Sequence, residues 1–257
     1  MTTQRRNDQR DELLAARFLA KNDPGVAWSR AVSSMIFLPE CRGVWGMGSV
    51  DENGAVYDMS GQGRTLTNVS ALQRGVYNAL APYAIHDGVA DILRRNNEPG
   101  IQITGALTVM GWFYSDDAPG ITEGVFSKWD ITGNQRAYEL ILSTTPNFHF
   151  VVSSDGTATT TVISLVTYLA ARWFHVAGVY VPSTSLTIYV NGTATINTTS
   201  IPASIFNSTA NLEIGANNAG TRVLDGRSAL CGLYAASHAA ATIRSVYHSQ
   251  RALFSRV

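Results

Sequence analysis

Apolar and polar residues alternate with a period of two along most of this chain, in short runs separated by Gly, Asn, Asp and Pro. That is the pattern of antiparallel strands joined by tight turns. It predicts strands near 42–48, 64–68, 82–86, 106–115, 123–129, 136–143, 148–153, 159–165, 172–181, 185–191, 210–215 and 228–236. In LTVMGWFYS, Leu107, Val109, Gly111 and Phe113 point one way, and Thr108, Met110, Trp112 and Tyr114 the other. Both faces carry bulk, so this strand is expected at the centre of a sheet. In RAYELILS, Ala137, Glu139, Ile141 and Ser143 alternate with Tyr138, Leu140 and Leu142.

Two stretches keep a helical period instead. Ala239 to Leu253 places Ile243, Val246 and Tyr247 on one face, with Phe254 just beyond, and closes the chain. At the other end, Asp8 to Asn22 reads as a helix with Asp8 as N-cap, Asp11 and Glu12 in the first turn and Lys21 in the last. Its stripe is Leu14 and Phe18, widened by Leu13 and Leu19, and Asp23-Pro24-Gly25 reads as its stop.

Composition divides the chain where the pattern does. Charged residues are 15% of the whole, yet residues 1–30 hold ten of them. Residues 1–40 are therefore read as a charged N-terminal arm with one amphipathic helix, and 41–257 as one β domain. A helix this short needs a surface for its stripe. The arm residues Arg5, Arg6, Arg10, Leu14, Arg17 and Phe18 are expected to dock either on their own sandwich or on another subunit.

Nineteen basic side chains balance nineteen acidic ones. That leaves no electrostatic footprint for nucleic acid or anionic lipid. No stretch approaches the ~20 apolar residues that span a bilayer. The N-terminus carries charges where an export signal needs its apolar run, so export by that route is not expected. Cys41 and Cys231 lie near the first and last strands, where a bridge is conceivable, but two reduced, mostly buried thiols are the preferred reading.

One segment carries a resemblance. Arg172-Trp-Phe-His-Val-Ala-Gly-Val-Tyr-Val181, Pro-Ser-Thr-Ser and Leu186-Thr-Ile-Tyr-Val-Asn-Gly192 form a hairpin pattern ending in a dipeptide that readily takes φ > 0. It resembles the most recognisable stretch of the laminin-G-like, concanavalin A-like jelly roll. Gly43-Val-Trp45, the Asp58-Met-Ser-Gly-Gln-Gly63 turn, Ala84-Ile-His-Asp-Gly88, Ile103 to Phe113, Leu212-Glu-Ile-Gly215 and Leu230 to Tyr247 match further motifs of that family in order. The resemblance covers roughly residues 42–250. It implies an all-β, two-sheet antiparallel jelly-roll sandwich, here with a short N-terminal helical arm and a C-terminal helix. Leu38 to Asp51 and the arm also resemble laminin-G-like proteins carried by tailed bacteriophages, usually taken for virion components.

Enzymes of this fold hydrolyse β-glucans with a nucleophile and an acid/base carboxyl ~5–5.5 Å apart. No acidic pair here has i, i+2 spacing within a strand, and adjacent pairs such as Asp116-Asp117 face opposite ways. No G-x-S-x-G, P-loop or metal-spaced Cys/His cluster occurs, and His175 reads as a packed strand histidine. No catalytic residue is assigned. No cofactor is expected, and calcium is the one ion worth considering. The family often holds one near the sandwich rim, and Asp58 and Asp87 occupy the matching positions. Against it, each carboxylate can cap its own turn, and Cys231-Gly232 stands where the family usually has an acidic pair. For a sugar, Trp129 beside Asp130 is the candidate platform, with Asn217, Asn218 and Arg222 on a nearby rim; the competing reading half-buries that Trp under a loop.

Two functions follow. The first is a non-enzymatic structural or decoration protein of a phage particle, assembled in the host cytoplasm, with other virion subunits in the capsid or tail and copies of itself as partners. The second is a carbohydrate-binding module for host-surface glycans.

Overall fold

The computed structural model describes residues 24–77, 81–117 and 120–254, so the expected Asp8–Asn22 helix and the arm residues Arg5 to Phe18 lie outside the described residues. Helix α1 spans Pro24–Ile36. The strands are β1 Cys41–Val50, β2 Val56–Asp58, β3 Thr67–Asn68, β4 Arg74–Tyr77, β5 Ala81–Asp87, β6 Leu93–Arg95, β7 Leu107–Ser115, β8 Glu123–Asp130 and β9 Gln135–Leu142. They continue as β10 Asn147–Ser153, β11 Thr159–Thr167, β12 Arg172–Val181, β13 Ser185–Val190, β14 Thr193–Asn197, β15 Leu212–Ile214, β16 Ala216–Asn217, β17 Arg222–Val223 and β18 Asp225–Tyr234. Helix α2, Ala240–Phe254, follows.

Two antiparallel sheets form the jelly-roll sandwich. The first runs β14-β13-β12-β7-β18-β1-β2, with β5 also on β18 and β4 on β5; the second runs β11-β10-β9-β8-β15-β6-β3. The buried core between them draws Leu107, Val109 and Phe113 from β7 and Tyr138, Leu140 and Leu142 from β9. The other face of β7 supplies Met110, Trp112 and Tyr114 to a second cluster, under the two helices. β7 lies between β12 and β18, so the alternation and the central position read from LTVMGWFYS are both present.

The Pro24-Gly25 pair read above as a helix stop is a helix start. Proline at the first helical position loses no hydrogen bond, because that N–H is unpaired in any helix. Ala31, Val32 and Met35 then recur on one buried face, against β18 and α2. Gly232 marks the closeness of that packing, since a Cβ there would lie 2.7 Å from Met35 Cε.

Most expected strands are present within a few residues. β2, β4, β6, β14, β16 and β17 carry no pattern long enough to read, being five residues or fewer. For β14 a signal existed. Asn191 and Gly192 take φ of 50° and 79°, the two left-handed positions of a two-residue hairpin, which demands a partner strand directly after.

The cysteines sit on neighbouring strands, but Cys41 pairs with Tyr234 while Cys231 pairs with Trp45. Four residues of register are about 13 Å, beyond the reach of a disulfide, and both thiols are free. Burial raises the Cys231 thiol far above its usual range.

Candidate functional site

The expected sugar site lies on the outer face of the second sheet. Register places Glu139, Ser127, Glu213 and Arg94 in one row across β9, β8, β15 and β6. The β16–β17 hairpin folds over that row. Ser127 donates to the Ala216 carbonyl at 2.8 Å, Asn217 Nδ2 donates to Glu139 at 2.5 Å, and Gly220 N–H donates to Glu213 at 3.1 Å. Arg94 pairs with Glu213 through two nitrogens. Burial holds the Glu139 carboxyl up at about 7, opposed by the Asn217 bond and by the charges of Arg222 and Arg136.

The hairpin does reach Trp129, since Ala219 and Trp129 line one cleft with Asp130, Gln135 and Thr209. Two features differ from the expected platform. Trp129 is only 6% exposed, its ring packed with Ile141 and Val151, and Asn217 is fully buried on Glu139. Arg222 is exposed on β17, and Asn218 lies in the one-turn segment Asn218–Gly220. The cleft holds about 130 Å³, against roughly 300–1,000 Å³ for ordinary ligand sites. Its polar groups are largely spent: Asp130 accepts from Thr132 N–H, Gln135 from the Thr209 N–H and hydroxyl, and Asn211 from Asn97 N–H.

The calcium positions are spent in the same way. Asp58 accepts from the N–H groups of Val44, Ser60 and Arg64 and from the Ser60 hydroxyl. Asp87 accepts from the N–H groups of Val89, Ala90 and Asp91; these bonds outweigh a little desolvation and hold its carboxyl below the usual range. Each carboxylate caps its own turn. Among the described residues, no group of three or more His, Cys, Asp or Glu side chains is placed to hold a metal ion.

The opposite outer face, on the first sheet, is built differently. Trp112 on β7 and His175 on β12 are cross-strand partners, as are Tyr114 and Trp173. Helix α2 crosses this face and lays Phe254 on Trp112, ring centroids 4.3 Å apart and nearly parallel, with Tyr247 stacked at 6.0 Å. Trp173 meets Phe254, Tyr114, Tyr77 and Tyr83 at 5.0–5.9 Å. Gln250 fixes the helix in place: its Oε1 accepts from Trp112 Nε1 at 2.7 Å, and its Nε2 donates to the Ala31 carbonyl and Ser34 Oγ on α1.

Between these rings opens a cleft of about 520 Å³, lined by Trp112, Trp173, Asn191, Tyr247, Arg251 and Phe254. Its donors are unspent. Trp173 Nε1 is buried with no hydrogen-bond partner among the described residues. Asn191 Oδ1 accepts from His175 N–H at 2.9 Å, but neither its Nδ2 nor the Arg251 guanidinium has a partner among those residues. Behind the wall, His175 is fully buried between Trp112 and Tyr247, with both ring nitrogens unpaired. Desolvation lowers it to about 3, so the ring is neutral. The pattern of β7, β12 and α2 showed these residues as packing positions, and their convergence depends on strand register and helix docking.

Among curated protein sequences nothing matches this chain. Solved structures share its fold. The binding domain of Paraclostridial Mosquitocidal Protein 1 superposes with a TM-score of 0.65 at 14% identity, over 82% of this chain and 52% of that one. The Botulinum neurotoxin serotype D ligand binding domain, in complex with N-acetylneuraminic acid, gives 0.65 at 12% identity over 86% and 53%. The binding domain of Botulinum neurotoxin DC, in complex with SialylT, gives 0.61 at 10% over 82% and 52%. This chain spans about half the length of each, and at such identities the likeness is one of fold. A family model matches residues 87–242, most of the sandwich. The chain belongs to that family, Laminin_G_3, of the concanavalin A-like lectin/glucanases superfamily.

Proposed function

We propose that this protein is a non-enzymatic carbohydrate-recognition module, with its sugar seated in the aromatic cleft at the C-terminal end of α2. The observation that carries this reading is the cleft: two Trp, one Tyr and one Phe surround a ligand-sized volume whose donors are unspent. A pyranose offers an apolar C–H face to lie on the half-buried Tyr247, with Trp112, Trp173 and Phe254 as the buried wall behind it, and hydroxyls to accept from the unspent donors. Two structures of the same fold are complexes with N-acetylneuraminic acid and with SialylT, which supports the ligand class without indicating its place on this chain.

Recognition is favoured over hydrolysis by the carboxylates. Glu139 and Glu213 share a face with Ser127 between them, about 9–10 Å apart across two strand spacings. Both are buried under the hairpin, one on Asn217 and the other on Arg94. The other expectation, a phage-particle subunit held by its arm, rests on residues outside the described ones, and no comparison supports it.

The test is a glycan array followed by calorimetry with Tyr247→Ala and Trp129→Ala. Loss of the half-buried Tyr247 ring should weaken binding about 10-fold or more, with Trp129→Ala close to wild type. Binding lost with Trp129 and kept with Tyr247 would move the site to the opposite face.

A further inference from the structure

Helix α2 reads AATIRSVYHSQRALF and contains no acidic residue. Its basic exposed positions fall on one face: Arg244, His248 and Arg251 at i, i+4 and i+7, with Tyr247 between them. This local excess stands out in a chain of zero formal net charge. Arg251 lines the mouth of the aromatic cleft. Arg244 lies beside the Asn191–Gly192 turn, its Cγ 3.6 Å from where a Gly192 Cβ would sit, and its charge is felt at Tyr189. Neither arginine pairs with a carboxylate among the described residues, and none of the lining residues is acidic.

An unpaired guanidinium at the rim of an aromatic cleft is a receptor for a planar anion, because its fork of donors matches a carboxylate in two parallel bonds. We infer that the cleft selects sugars that bear a carboxylate, such as uronic or sialic acids, with the ring on the half-buried Tyr247 and the acid on the exposed Arg251. This inference rests on the reading of the cleft as a glycan site. Seven residues of helix separate the two arginines by about 10.5 Å, so they address two positions along an oligosaccharide rather than one group. Selectivity arises from the same feature: a neutral sugar leaves the guanidinium without a charge partner.

The experiment compares matched pairs on the full chain by calorimetry: an oligogalacturonide against its carboxyl-reduced form, and sialyllactose against lactose. The acidic member of at least one pair should bind about 10-fold tighter, with the gap closing as salt rises from about 50 to about 500 mM. Arg251→Ala should erase the preference and Arg251→Lys restore part of it, while Tyr247→Ala weakens both members alike. Arg251 is exposed, so thermal melts of its variants should match wild type. Equal binding of acidic and neutral members would overturn the acid preference and leave the glycan site standing. Failure of every glycan on a broad array, by a chain with a normal melt, would overturn both.

Discussion

The two outer faces of this sandwich use the same materials to opposite ends. Each carries a tryptophan on a strand, a buried titratable group beside it and a covering element. On the second sheet the cover is the β16–β17 hairpin, and nearly every polar group beneath it has a partner: Glu139 with Asn217, Glu213 with Arg94, Ser127 with Ala216. On the first sheet the cover is a helix that leaves a gap at its C-terminal end, where Trp173 Nε1 remains unpaired, with the unpaired His175 ring buried behind the wall. Burying a polar group without a partner costs about 1–3 kcal/mol. An opening lined by Trp173 Nε1, the Asn191 amide and Arg251, none of them with a partner for its donor among the described residues, retains interactions for a ligand to complete, whereas the hairpin leaves only Asn217 Oδ1 unpaired on the row it covers. A conspicuous Trp is therefore a weaker guide to a site than the satisfaction of its neighbours.

The largest effect should come from prising the closed face open. A Cβ on Gly124 would lie 2.2–2.5 Å from the backbone of Ala216 and Asn217. Backbone cannot swing aside as a long side chain can, so Gly124→Ala should lift the hairpin and cost about 3 kcal/mol, read from urea unfolding. If the faces are independent, glycan binding at the helix-covered cleft should survive; its loss would show that they are not.

Next is the latch on the open face. Gln250→Ala removes the partner of Trp112 Nε1 and the two bonds that tie α2 to α1, while Ser34 Oγ and the Ala31 carbonyl stay bonded to each other. It should cost about 2 kcal/mol and loosen Phe254 from Trp112, so here stability and sugar affinity should fall together. A stability loss with unchanged affinity would mean that the cleft does not depend on how α2 is held.

These contrasts also explain what was legible in the sequence. The jelly roll was, because its strands are long, alternate cleanly and end in turn residues with few alternatives, as at Asn191-Gly192. Helix α1 was not, since Pro24-Gly25 reads as readily as an end as a beginning and only the surface offered by β1 and α2 decides. Trp129, beside Asp130 in a turn-rich segment, reads either as a platform or as a ring half-buried under a loop, and Ile141 and Val151 from two other strands decide for burial. The cleft was hidden for the same reason. Trp112, Trp173 and Tyr247 each have an adequate packing role, and a site emerges only when register and helix docking bring them to one opening.

The smallest effect distinguishes the faces by pH, and its sign is opposite on the two sides. His175 titrates near 3 in the fold, below its ordinary value near 6.5, because burial disfavours the charged ring. The stability it contributes is complete above about 6.5 and is lost as pH falls toward 3, since the unfolded chain then binds the proton first. Glu139, raised by burial to about 7 from an ordinary value near 4.5, behaves inversely. Its contribution is complete below about 4.5 and is lost as pH rises through about 7. Between 4.5 and 6.5 the two slopes oppose each other; His86, lowered by burial to about 4, adds to the first, and Glu123, raised by burial to about 7, adds to the second. Glu139→Gln keeps an acceptor for Asn217 and removes its titration, so relative to wild type the variant's stability should climb from pH 4.5 to 7, where the histidine slope loses one opponent, and should follow wild type below 4.5. Urea midpoints of wild type and variant from pH 3.5 to 8.5 test this. A variant curve parallel to wild type across the neutral range would show that Glu139 is already ionised beneath the hairpin, and the face described here as closed would then be open to water.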